Sequence, residues 1–200
     1  MSHAPHRDYA GAKLGMWLFL FTEMLLFGGL FILYAVYLHR YPGEFAAAGH
    51  RLDLVLGTAN TVILLTSSLL AAMAVTAVQR GEGRIAVLAL GGAVLCAGGF
   101  LAIKYAEWSV KFSHGIYPGS PSLVAGPPGE SVFFGLYYLT TGLHGLHVLI
   151  GGVLLAVVAL RVKGGRIHAG DHIWLENGAL YWHLVDLVWI FIFPLYYLML

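Results

Sequence analysis

Residues 132–160 read VFFGLYYLTTGLHGLHVLIGGVLLAVVAL, a run of 29 residues without one Asp, Glu, Lys or Arg. A helix needs roughly 20 apolar residues to cross a hydrocarbon core, so this run is long enough to span a bilayer. It is far too long for a barrel strand and does not alternate strictly between apolar and polar positions. Working outward, four more stretches of the same kind lie at 14–38, 54–78, 85–103 and 177–200. Of the chain's 11 Lys and Arg and 10 Asp and Glu, only Glu23 and Asp186 fall inside the five stretches. The expected fold is therefore all-α: a single domain over residues 1–200, built as a polytopic bundle of five transmembrane helices. Hydrophobic residues make up 59% of the chain and charged ones 10%, against about a quarter charged in soluble domains. That excludes a soluble enzyme, a disordered chain and a nucleic-acid binder, and the net charge of +1 names no partner. The lone Cys96 excludes a disulfide framework and any zinc or iron–sulfur site built on cysteines.

Five spans put the termini on opposite sides. One side collects seven basic residues: Arg7, Lys13, Arg80, Arg84, Arg161, Lys163 and Arg166. The other collects four, Arg40, Arg51, Lys104 and Lys111. The positive-inside rule then makes the N-terminus cytoplasmic. The first stretch, with Glu23 in its middle, is longer than a signal-peptide core and is expected to stay in the mature protein. Residues 104–131, with Pro118, Pro121, Pro127 and Pro128, are expected to form an ordered outer loop. No internal or inverted repeat is evident, which weighs against a secondary transporter. Small residues such as Gly28, Gly29, Gly91 and Gly98 read as packing positions. Trp17, Trp108, Trp174 and Tyr41 sit near helix ends, as an aromatic belt does.

An ionisable group in hydrocarbon needs a reason. Glu23 and Asp186 each lie nine residues into their spans from the same side, roughly 14 Å deep at about 1.5 Å per residue. His183 is one helical turn from Asp186, and His144 and His147 repeat that spacing on the fourth span. Together with Asn60 these residues can form one buried polar layer. Three readings stay open on chemistry alone: interhelical hydrogen bonding, a metal or haem site using His144 and His147, and a proton or ion relay through Glu23 and Asp186.

The motifs then narrow the choice. Residues 181–191, YWHLVDLVWIF, resemble the last-helix signature of subunit III of haem–copper oxidases, and residues 141–151, TGLHGLHVLIG, are similar to the helix before it. Thr22-Glu23 followed by MLLF resembles that family's early helix with a buried glutamate. Residues 60–68, NTVILLTSS, and 105–108, YAEW, match two further stretches, with His172 and Glu176 ahead of the last helix. The matches run in order over nearly the whole chain, and the span count resembles the short, five-helix form of subunit III. The lipid-filled cleft that two further N-terminal helices make in the longer form is not expected here.

The resemblance implies a non-catalytic chain with no metal or other cofactor of its own. Haem and copper would belong to subunit I, which reduces oxygen to water. This chain would stabilise subunit I, hold phospholipid and support proton uptake, beside subunit II, a small subunit IV and, in some membranes, a respiratory supercomplex. It also implies that His144 and His147 bond across the bundle with Asn60, His183 and Asp186 rather than ligate a metal. Trp17, Glu107, Trp108 and Trp174 are assigned to lipid or subunit contacts, and the location is a bacterial plasma membrane. A subunit III-like accessory protein of a nitric oxide reductase, a stand-alone haem protein and a stand-alone proton-coupled transporter are the competing readings.

On the cytoplasmic side the sequence gathers His3, His6, Asp8, His168, Asp171, His172 and Glu176. Imidazoles change charge near neutrality and carboxylates exchange protons readily, so the expectation is a proton-collecting surface that feeds subunit I.

Overall fold

The computed structural model describes residues 9–198, and no β-strand occurs among them. Five helices are long and apolar enough to cross a membrane: α1 (Tyr9–Arg40), α3 (Leu54–Gln79), α4 (Gly83–Ser113), α6 (Pro128–Lys163) and α7 (Ile173–Tyr197). Two short helices, α2 (Pro42–Gly49) and α5 (Pro121–Val124), lie in the connections at the Arg40 end and pack on α6. The chain is an integral membrane protein with an all-α polytopic fold.

Local chemistry sets the boundaries. Asp53 caps α3, its carboxylate accepting from the backbone N–H of Val55 and Leu56 at 2.9 and 3.1 Å. Gly81, at φ +77°, supplies the left-handed residue that turns α3 into α4. Prolines at the first turns of α2, α5 and α6 sit where a helix has no use for the missing N–H.

Packing follows a period of 3.5 residues. The buried stripe of α3 is Gly57, Asn60, Leu64, Ser67, Ala71, Ala74 and Val78. That of α6 runs through Phe134, Tyr137, Thr141, His144, Val148, Gly151, Leu155, Val158 and Val162. Alternating steps of three and four are the repeat that keeps a seam facing its partner in helical bundles. Four helices close a ring in which α3 packs on α4, α4 on α6, α6 on α7, and α7 back on α3. The α3–α4 seam is narrow because alanines line it, and the Ser67 hydroxyl donates to the Ala93 carbonyl across it at 3.1 Å. Trp182 and Trp189 of α7 fill the ring interior with no exposed surface. Gly151 makes room for Trp182: a Cβ there would stand 2.7 Å from its ring.

Helix α1 lies outside the ring against α6 and α7. Only Leu20, Phe27 and Tyr34, seven residues apart, are buried on it. Its other faces present Leu14, Trp17, Phe21, Leu25 and Ile32 outward.

The structure corrects one boundary. Residues 104–113, expected in the outer loop, continue α4 as helix. The buried stripe of α4 explains why, since Ala86, Leu90, Ala93, Ala97, Phe100, Lys104, Glu107 and Lys111 keep the three–four alternation to the end. Lys104 and Lys111 are thus inside the protein and are not loop charges.

Candidate functional site

The ring interior holds polar groups among aromatic ones. The Trp182 indole N–H donates to Ser67 Oγ at 3.0 Å and that of Trp189 to Thr61 Oγ1 at 3.0 Å. His144, fully buried, is packed between Phe100 and Trp189, with ring centroids 5.4 and 5.2 Å away. Asn60 is fully buried and Asp186 nearly so. Across the antiparallel α3–α4 seam the Ser67–Ala93 bond puts Asn60, seven residues back, level with Phe100, seven residues on. No hydrogen-bond partner among the described residues reaches the side-chain nitrogens and oxygens of Asn60 and His144 or the carboxylate of Asp186. Buried polar atoms of this kind are ordinarily met by internal water.

The other members of the expected layer sit on seams rather than in the interior. Glu23 Oε2 and His147 Nε2 are 2.9 Å apart between α1 and α6, with Phe27 against the imidazole edge at 5.3 Å. His183 Nδ1 lies 2.6 Å from Ser68 Oγ between α7 and α3. The six residues therefore do not converge on one centre. Glu23 and His147 pair with each other, His183 pairs with Ser68, and Asn60, His144 and Asp186 are buried without a direct partner among the described residues.

A second polar centre had no place in the sequence reading. Glu107, assigned there to a lipid or subunit surface, is 2% exposed inside the bundle. Its carboxylate accepts from Lys104 Nζ at 2.8 Å and from the hydroxyls of Tyr137 and Tyr197 at 2.8 and 2.9 Å, and Lys111 Nζ stands 3.5 Å away. Lys104 also donates to Tyr197 at 2.6 Å. The centre ties α4, α6 and α7 together near the Arg40 end. The signal that could have found it is the unbroken heptad stripe of α4, which runs through all three charges.

At the Tyr9 end the structure brings several expected surface residues together. His172 Nε2 is 3.0 Å from Glu176 Oε1, whose other oxygen holds Lys13 Nζ at 2.7 Å. Tyr9 donates to Asp171 at 3.1 Å, and His168 and Asp171 are joined by backbone hydrogen bonds of 2.9 and 3.2 Å. His3, His6 and Asp8 lie outside the described residues. Trp17 and Trp174 are exposed, the latter beneath the Arg161 guanidinium at 4.6 Å from the ring centre. Trp108 instead packs on Tyr138 at 5.0 Å. Among the described residues, no group of three or more His, Cys, Asp or Glu is placed to hold a metal ion.

Fold and site together define an integral membrane subunit whose polar chemistry is interhelical. Residues 3–199 match the family model described as cytochrome c oxidase subunit III, and the chain belongs to that family. It is similar to the cytochrome c oxidase subunit 3 of Thermostichus vulcanus, 31% identical over all of this chain and 92% of the relative. It is also similar to the cytochrome bo(3) ubiquinol oxidase subunit 3 of Pseudomonas aeruginosa, 29% identical over 97% of this chain and 88% of the relative. A haem–copper oxidase subunit I+III of Aeropyrum pernix is 32% identical over 92% of this chain, which spans 22% of that longer protein. These relatives are named as oxidase subunits and favour neither the reductase-accessory nor the transporter reading.

Proposed function

We propose that this chain is the non-catalytic subunit III of a proton-translocating haem–copper oxidase in a bacterial plasma membrane, with its N-terminus in the cytoplasm. The observation that carries this is the Aeropyrum protein, in which a region similar to 92% of this chain belongs to a protein named as subunit I+III. Haem and copper reside in subunit I, where oxygen is reduced. This chain's residues supply a rigid wall against that subunit, lipid sites and a protonatable surface. Subunit II and a small subunit IV complete the complex, and the electron donor is selected by those subunits, since relatives named for cytochrome c and for ubiquinol match alike.

Phospholipid has a fitting site on the chain. A groove of 700 Å³ between the first turn of α4 and the last turn of α6 sets Arg84 and Lys163 over Val87, Leu88 and Val162. Two cations above an apolar floor suit an anionic headgroup and its acyl chain. Proton uptake is served by the cluster of His168, Asp171, His172 and Glu176. These groups stand close together at one aqueous face and exchange protons with it.

Deleting the chain in a strain that keeps the other oxidase subunits is expected to reduce assembled haem–copper complex, read as haem absorbance in purified membranes. Unchanged haem content and activity would overturn the stabilising role. For the proton role, His168→Ala with His172→Ala slows turnover above neutral pH in the assembled enzyme, and an unchanged pH profile would contradict it.

A further inference from the structure

The N-cap residue His172 and one face of α7 carry four titratable residues, His172, Glu176, His183 and Asp186, at spacings of four, seven and three. These spacings keep them within one arc of a 3.6-residue helix. Along this face runs a groove of 440 Å³ between α1, α3 and α7. Its mouth is the Lys13–Glu176 ion pair at 2.7 Å, with His172 on the other carboxylate oxygen. Its floor includes His183, whose Nδ1 meets the Ser68 hydroxyl at 2.6 Å. One helical turn further along α7 stands Asp186, whose carboxylate is 3% exposed and meets no hydrogen-bond partner among the described residues. An ion pair at one end of the groove and the exchangeable groups of His183 and Ser68 at the other therefore lead towards a buried acid.

We propose that this groove is a proton inlet, through which Asp186 exchanges protons with the aqueous phase at the Tyr9 end by way of Glu176 and His183. A proton reaches the His183 ring nitrogen that faces away from Ser68. The Nδ1 proton passes to Ser68 Oγ, and the hydroxyl proton of Ser68 passes on through internal water to an Asp186 oxygen. The imidazole is left as the other tautomer and is reset by rotation of the ring, which turns the newly protonated nitrogen to Ser68. Other ionisable groups frame the site without entering the path. Lys13 faces the groove from α1, Glu23 of α1 is held by His147, Cys96 faces Asp186 from α4, and α6 presents His144 to the ring interior. Helix α3 carries no Asp, Glu, Lys, Arg or His and contributes hydroxyls. The inference goes beyond proton collection at the surface, and it stands or falls separately, because its readout is the carboxyl group of Asp186 and not turnover.

The test is infrared difference spectroscopy of the intact purified complex between acid and alkaline buffer, in H2O and D2O. A carboxyl signal lost in Asp186→Asn is expected to respond to pH and to isotope exchange. The exchange should slow at least tenfold in His183→Leu and in Val75→Trp, which fills the groove from α3. If Asp186→Asn fails to assemble, the His183 and Val75 variants carry the test on the unmodified acid. The inlet is overturned by a spectrum without an exchanging carboxyl signal, or by exchange that neither variant slows.

Discussion

Glu107 is the residue on which the most chemistry converges. It stands between two lysines and two tyrosine hydroxyls with almost no access to water. Removing one partner of a buried ion pair costs about 3–5 kcal/mol, because the remaining charge loses its compensation. Glu107→Gln is therefore expected to destabilise the chain by about that much, read as a lowered thermal midpoint of the purified complex. Glu107→Leu combined with Lys104→Met and Lys111→Met should recover much of the loss, since apolar residues of similar volume replace such buried ionic groups at small cost. A single variant as stable as the triple would contradict the account. Gly151 offers a second residue-scale test. A Cβ there meets Trp182 at 2.7 Å, whereas one at Gly28 meets nothing within 4 Å. Gly151→Ala should cost about 1–3 kcal/mol through overpacking, and Gly28→Ala should leave the midpoint unchanged or slightly raised. Equal midpoints for the two would overturn the packing role given to Gly151.

At the scale of the element, α1 is the least embedded of the spans, held to the ring by one narrow stripe and by polar ties to α6 and α7. The Glu23–His147 pair is one tie, and the Lys13–Glu176 pair at the Tyr9 end is another. Glu23→Leu leaves His147 Nε2 without its hydrogen-bond partner in an apolar setting, a loss of about 1–3 kcal/mol. Hydrogen exchange in α1 should accelerate in Glu23→Leu and return toward the parent rate in Glu23→Leu with His147→Leu. Acceleration that persists in the double variant would show that the pair does not hold α1. Helix α4 shows what hydropathy misses. Its residues 85–103 read plainly as a span because they carry no charge. Its last ten carry Lys104, Glu107 and Lys111, so average hydropathy fell there and the segment read as loop. The periodicity, however, never broke, and in a bundle the stripe position decides burial while mean polarity does not.

For the whole molecule, number, type and order of the spans were legible because bilayer thickness fixes how long an apolar run must be. The individual polar residues Glu23, Asn60, His144, His147, His183 and Asp186 stood out because hydrocarbon makes each of them expensive. How they pair was not legible, since it depends on the ring closing through α3 and α7 and on α1 remaining outside it. Sequence spacing placed the residues at similar depths, and depth alone does not say which helix faces which. The family motifs supplied what geometry does not, an expectation about assembly, and the match over residues 3–199 supports that expectation.

A chain that works as part of a haem–copper oxidase must travel with the haem-bearing subunit. The most direct measurement is affinity purification of the tagged chain from native membranes in mild detergent. It is followed by a reduced-minus-oxidised spectrum, oxygen consumption and mass spectrometry of the co-purifying proteins. The account predicts haem absorbance arriving with a large multi-span subunit in an oxygen-consuming preparation. A colourless chain purifying alone, or a partner that reduces nitric oxide, would contradict it.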